Sequence, residues 1–507
     1  MAKTNWTFKP ALLLMTGRTA GFAVTALMPL VLVRVFDQSQ FGTYKQLFLV
    51  YTTLYALAQV GMAESLFYFV PSARRQVGRY VVNSMLVLAA AGLVCMGLLQ
   101  VMGSNISSWL NNPRLAMYFP LMGVYLLLTL VSTTLEIAMI SRKCYRWASL
   151  TYVFSDLLRS ALFIIPVLFV PNLHSLLAGA TAFAAFRVAM TCAYVKREFR
   201  EDLRPDANLL KTQMAYAVPF EMAVIVDAFQ SNFHQYAVSH YFDAATFAIY
   251  SVGCFQIPFV GLVASSVGNV LMVGMSEEIR DGRGKTVVAL WHDTTRKLSL
   301  MFFPLVALLL VVAREFIVFL FTDQYVASVP IFMVWTTTIF LAVLQTDSVL
   351  RVYAETRFLF FLNAVRLVVI LLLIHWFLSS FSLLGPVLVT ILAALITKIQ
   401  ALARIRKVMR ISVSQLLPWG NLAAILAVAA AAIVPVLLIK PELHGTNFLI
   451  LAITGLVYFV SYSILLYSFG LLTDAEYHTL RGLWQRSKRW LQSPAAGAVE
   501  AGELSRN

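Results

Sequence analysis

Fourteen runs of about 20 mostly apolar residues dominate this chain, at roughly 11–33, 46–69, 80–102, 115–140, 148–170, 174–195, 213–238, 246–274, 298–320, 327–350, 358–378, 384–403, 418–439 and 446–470. A helix of about 20 apolar residues spans the hydrocarbon of a bilayer. Inside lipid every backbone N–H and C=O must find a partner within the protein, so such runs become helices. The expected fold is therefore an all-α polytopic membrane protein with about 14 transmembrane helices. Composition agrees: 60% of the 507 residues are hydrophobic and 12% charged, and mean hydropathy is +0.78.

The formal charge of +15 does not indicate nucleic acid, because the Lys and Arg residues cluster in short segments between apolar runs. Arg74, Arg75 and Arg79, the group Arg142, Lys143 and Arg146, and the 196–212 linker fall on one side when the N-terminus is placed inside. That bias sets orientation, and both termini are expected in the cytoplasm. Lys3 and Lys9 before an apolar run resemble a signal peptide, but the run is long and lacks a small-residue cleavage site. A retained first helix is expected. Cys95, Cys144, Cys192 and Cys254 show no C-x-x-C or Cys/His spacing, so neither a disulfide framework nor a zinc site is indicated.

The pattern F-D-x-x-x-F-x-x-Y occurs twice, at Phe36–Tyr44 and Phe242–Tyr250, 206 residues apart and each between apolar runs. This reads as one turn in two copies of a duplicated bundle. Six spans precede the linker and six follow it. An even number per repeat makes the halves parallel about an axis along the membrane normal. The expected organisation is a six-helix lobe over 1–195, a linker over 196–212, a second six-helix lobe over 213–403, two further helices over 404–470, and an amphipathic then polar tail over 471–507.

No nucleophile elbow, P-loop, H-E-x-x-H or His/Cys cluster is present. An enzyme is not expected, and without a nucleotide-binding module any transport would draw on an ion or substrate gradient. Charges within the spans stand out instead. Arg18, Arg159, Arg187 and Arg366 lie in apolar runs, as do Glu64, Asp156, Asp227 and Asp347. A central arginine costs about 3 kcal/mol on insertion scales, so it faces a cavity or a partner. Asp156 and Arg159 are three apart and Asp347 and Arg351 four apart, spacings that allow pairing on one helix face. Arg18, Arg187 and Arg366 have no acid at such spacing. A guanidinium binds phosphate bidentately and keeps its charge at any depth, so these arginines, with Arg159, are candidate phosphate ligands. The seventh run puts Asp227, Gln230 and His234 on one face. That stripe either lines a cavity or forms a packed polar seam. Asp227 is the leading candidate for a coupling site, with Glu64, Gln230, His234 and Asp156 as further cavity-lining or ion-coupling candidates.

Arg18-Thr19-Ala20-Gly21, Arg34-Val35-Phe36, Phe41-Gly42-Thr43-Tyr44 and Gly61 resemble the opening of polysaccharide-export flippases. These are the O-antigen and lipid-linked oligosaccharide translocases of the multidrug/oligosaccharidyl-lipid/polysaccharide (MOP) exporter superfamily. The twelve-plus-two span plan is similar to that of lipid II flippases. The resemblance implies two MATE-like lobes around a cavity open alternately to each side. It also implies an undecaprenyl-pyrophosphate-linked oligosaccharide as substrate, flipped across a bacterial inner membrane for cell-surface polysaccharide synthesis. Arg18 matches a cationic cavity residue that would hold the pyrophosphate. Membrane lipids, and a glycan polymerase or export machinery, are the implied partners. No cofactor is expected beyond a coupling cation, H+ or Na+. Departures exist: the second turn reads Phe247-Ala248-Ile249-Tyr250, and the second span shows mainly Glu64 where lipid II flippases carry more charge. Two alternatives remain at this stage, a cation-coupled multidrug antiporter of the same fold and a membrane O-antigen polymerase or ligase.

Overall fold

The computed structural model describes residues 24–25, 27–73, 76–200 and 202–473, with the backbone alone at 220, 223 and 285. These residues form helices joined by short turns, with no strand among them. Eleven helical stretches are long and apolar enough to cross a membrane, or twelve when the bent Ala207–Pro219 and Val224–Tyr241 pair is taken as one span. The expectation was fourteen. One of the eleven stretches, Thr356–Met409, is two helices, Thr356–Phe381 and Gly385–Met409, that fold back on each other. Most of the first expected span lies outside the described residues, as does the amphipathic tail beyond residue 473.

The repeated turns occupy matching places. Asp37 caps helix Gln38–Ala58 by accepting from the Gln40 amide at 2.7 Å. Asp243 caps helix Ala244–Gly253 by accepting from the Thr246 amide at 2.9 Å. A carboxylate at this position satisfies an otherwise unpaired N-terminal N–H and favours the positive end of the helix dipole. The bonds from Thr246 hold the Asp243 carboxyl below the usual carboxylate range. Phe41, Phe247 and Tyr250 are fully buried, and Tyr44 is buried with 7% exposed. The two helices pack side by side, so the repeated turns meet at the centre of the molecule.

Both of these helices stop midway. The second span does not run straight from 46 to 69 and end near Gly61. It starts at Gln38, breaks at Gln59–Gly61, and resumes as Met62–Ser72. Val60 and Gly61 both have positive φ, a conformation that costs glycine least. The eighth span also breaks, between Gly253 and Pro258, without a positive φ.

One hydrophobic core joins the halves at the end that carries the repeated turns. Phe41, Leu47 and Phe119 from the first half pack there with Val252, Ile317, Phe321 and Phe332 from the second. Arg34 closes this end by donating to the Leu320 carbonyl at 2.9 Å and the Phe319 carbonyl at 2.7 Å, the C-terminal carbonyls of helix Ala313–Phe321. At the opposite, linker end two clusters stay within one half, around Leu66, Val81 and Val195 and around Leu271, Trp291 and Ile405, while a third, around Met62 and Leu88, takes in Ala217 of helix Ala207–Tyr241.

Helix Ala207–Tyr241 bridges the halves over most of its length. Gln213 Nε2 donates to the hydroxyls of Ser65 at 2.8 Å and Ser84 at 2.7 Å. The Tyr236 hydroxyl donates to Thr53 at 2.7 Å, and Ser239 accepts from Gln46 at 2.8 Å. Polar side chains act as interhelical glue in lipid because hydrocarbon offers them no other partner. The linker is anchored too: Arg79 bonds Asp202 at 2.8 Å and Asp206 at 3.0 Å. It spans 199–206 between Glu198 and Ala207, shorter than the expected 196–212. The last two helical segments, Trp419–Glu442 and Asn447–Ser468, pack on helices Gly284–Val311 and Ala313–Phe321, outside the paired halves.

Candidate functional site

The candidate residues separate into two groups, one in each half. In the first half a cavity of about 570 Å³ opens among helices Gln38–Ala58, Met62–Ser72, Phe119–Ser132, Thr134–Ser141, Tyr145–Phe169 and Leu173–Glu198. Arg159, Arg187, Asp156 and Glu64 all line it, together with Glu136. The volume falls in the range of about 300–1,000 Å³ usual for small-molecule sites.

Both arginines in this cavity are paired. Asp156 and Arg159 meet at 2.8 Å on one helix face, as their spacing predicts. Arg159 also donates to the Thr25 hydroxyl at 2.7 Å, which ties it to the first span. Arg187 departs from its expectation as an unpaired cation. It forms a fork with both carboxylate oxygens of Glu136, the second at 2.8 Å, and donates further to Ser155 Oγ at 2.9 Å and the Ser132 carbonyl at 3.2 Å. Its partner lies 51 residues away on another helix, beyond the reach of spacing rules for one helix. Of the five N–H donors of a guanidinium, four are thereby occupied.

Glu64 differs. Its Oε2 is shut off from solvent and accepts no hydrogen bond. The Gln59–Gly61 break sets Glu64 in the first turn of helix Met62–Ser72, where backbone N–H groups favour a carboxylate. Aromatic rings complete the wall. Tyr51 stacks on Tyr55 at 5.7 Å and on Tyr125 at 5.0 Å between centroids, and Tyr152, Phe67 and Phe183 line the same space. Sequence reasoning missed the tyrosines, which look like ordinary core residues in an apolar run.

The second group surrounds helix Ala207–Tyr241 in the other half. Gln230 Nε2 donates to Asp227 at 3.2 Å and to Asn363 at 3.4 Å. His234 is buried, bonded to the Tyr250 hydroxyl at 2.7 Å and packed on Trp335. Gln230 and His234 are thus buried in a packed seam, while Asp227 is exposed. Arg366 lies within electrostatic range of Asp227 and Asp347, and its Nε is buried with no hydrogen-bond acceptor. The expected Asp347–Arg351 pair gives way to Asp347–Lys398 at 3.1 Å, with Lys398 also donating to Thr346 at 2.7 Å. A lysine from helix Gly385–Met409 reaches the carboxylate more directly than the neighbour on its own helix. Arg18 lies outside the described residues. Among those residues no group of His, Cys, Asp and Glu is arranged to hold a metal ion.

A family model described as "Polysaccharide biosynthesis protein" matches residues 31–330, more than half of the chain. The chain belongs to that family. Its fold is shared with solved structures of the MOP superfamily. A lipid II flippase, MurJ, in an inward closed conformation matches with TM-score 0.70 at 14% identity, covering 90% of this chain and 98% of that one. A MATE multidrug resistance transporter in an inward-facing conformation matches with TM-score 0.57 at 12% identity over 77% and 96%. A MOP transporter from Pyrococcus furiosus with reversed binding-pocket polarity matches with TM-score 0.53 at 14% identity over 80% and 97%. No curated protein sequence matches. The family member described here is a multi-pass membrane protein with the MOP fold.

Proposed function

We propose that the chain translocates an undecaprenyl-pyrophosphate-linked oligosaccharide across the bacterial inner membrane by alternating access of its two halves. The observation that carries this reading is the match of residues 31–330 to a polysaccharide biosynthesis family on a chain whose fold is that of transporters and flippases. The core shared at the turn end and the separate cores at the linker end suit a state sealed on one side. With the termini in the cytoplasm, the sealed side is the outer one.

Phosphate recognition falls to Arg366 and Arg18. Arg159 and Arg187 are neutralised where they stand, so their part is to shape the first-half cavity. A hydrogen bond to a charged group contributes about 1.5–3 kcal/mol, or roughly 10- to 100-fold in affinity. Arg366→Ala should therefore slow translocation by about that factor in proteoliposomes carrying the lipid-linked substrate. An unchanged rate would remove Arg366 from the substrate path.

The second reading is a cation-coupled drug antiporter of the same fold, favoured by the unpartnered Oε2 of Glu64 in a cavity with three acids and two arginines. A strain lacking the chain separates the two. Lipid-linked oligosaccharide retained on the cytoplasmic leaflet, with drug tolerance unchanged, is the expected result. The reverse outcome would replace the flippase reading with the antiporter.

A further inference from the structure

We infer that the first-half cavity is a sugar subsite, distinct from the phosphate ligands, and that it admits neutral or amino sugars while rejecting acidic ones. This rests on the flippase reading and assigns the glycan end of the substrate its own place. The cavity is cut into one half of the molecule and lined by polar and aromatic groups at membrane depth. Polar surface in the interior of a membrane bundle needs a purpose, because it costs free energy to bury. Tyr51 and Tyr125 stack on each other and Tyr125 is buried, so the half-buried Tyr55 and Tyr152 offer the ring faces, negative in electrostatic character, against which the C–H face of a pyranose packs. The Thr129 and Thr133 hydroxyls donate to the Tyr125 and Leu130 carbonyls at 2.7 and 2.5 Å, which leaves their oxygens to accept from sugar hydroxyls.

Charge sets the selectivity. Both arginines are held by carboxylates, and the third carboxylate, Glu64, points an oxygen at no partner. The lining thus sets three carboxyl groups against two guanidinium groups, an excess of one acid. A pyrophosphate or a uronic acid would be repelled, and in a low-dielectric interior that repulsion is weakly screened. A hydroxyl or ammonium donor would satisfy Glu64 Oε2, since a buried acceptor left unpaired is costly. Phosphate and sugar recognition thus fall on different groups.

The test uses the full chain in lipid nanodiscs and saturation-transfer NMR with three probes: the disaccharide of N-acetylglucosamine, its fully de-acetylated diamine, and a glucuronate-containing disaccharide. Saturation should reach the first two and not the third. Tyr55→Ala should weaken the signals of both bound sugars. Glu64→Gln, nearly identical in shape and so compatible with the same fold, should weaken the diamine about tenfold and the N-acetylated probe less. Equal binding of the glucuronate probe, or wild-type binding by Glu64→Gln, would overturn the subsite. These outcomes are independent of translocation. A chain that binds these sugars yet flips no lipid-linked oligosaccharide loses the flippase reading alone; one that flips but binds as the overturning outcomes describe loses the subsite alone.

Discussion

Arg187→Ala should cost about 3–5 kcal/mol of stability, because it strands the Glu136 carboxylate with no counter-charge. The pair is nearly sealed from solvent, with 11% of the Arg187 side chain and 5% of the Glu136 side chain exposed. Removing one partner of a buried ion pair typically costs this much, whereas replacing both with apolar residues of similar volume is often neutral or stabilising. Glu136→Ala should be about as damaging. The double variant Arg187→Leu/Glu136→Leu should recover most of the loss, leaving Ser155 Oγ and the Ser132 carbonyl with one donor fewer. Thermal melts of the wild type, Arg187→Leu, Glu136→Leu and the double variant in one detergent complete the cycle and isolate the coupling between the two residues. A transport assay on the same set separates structure from function. If Arg187 acts only by holding four helices together, the double variant translocates substrate. A well-folded Arg187→Ala protein with no transport would make Arg187 a substrate ligand instead.

That pair also marks the limit of what could be read from the chain. Features set by neighbours in sequence were legible. The repeated turns were visible because a capping Asp, a buried Phe and a buried Tyr sit within nine residues of each other. Asp156–Arg159 was visible because three residues make most of one helical turn. Contacts between helices were not. Arg187 finds Glu136 and Asp347 finds Lys398, each pair about 50 residues apart, and no periodicity encodes which helix lies opposite. The breaks at Gln59–Gly61 and after Gly253 were hidden for another reason. An apolar run reads as continuous even where φ changes sign, and only Gly61 hinted at the first break. The polar stripe on helix Ala207–Tyr241 was seen, but the other polar residues of that helix, which reach the first half, were not singled out. Gln213, Tyr236 and Ser239 bind the first half, and Gln230 and His234 turn to the second.

Gly42→Ala should force the halves apart where their repeated turns touch. A Cβ at position 42 would lie 1.7 Å from the Ala244 carbonyl oxygen and 2.5 Å from its carbon. These are backbone atoms of the helix that Asp243 caps, so no side chain can rotate to make room. Overpacking a close contact typically costs about 1–3 kcal/mol, and a backbone clash belongs at the upper end. The matching position of the second turn, Ala248, already carries a Cβ and is fully buried, so only the first copy demands glycine. The substitution should lower the melting temperature and raise the accessibility of cysteines placed along the shared core at the turn end. Gly97→Ala is the control: nothing lies within 4 Å of its would-be Cβ, and alanine in a helix interior is favoured over glycine by about 1 kcal/mol. It should be neutral or mildly stabilising. Equal behaviour of the two variants would mean that the close approach of the repeated turns does not hold the halves together. Opening at the turn end in Gly42→Ala, with the linker end unchanged, would identify that contact as the one an alternating-access cycle has to break.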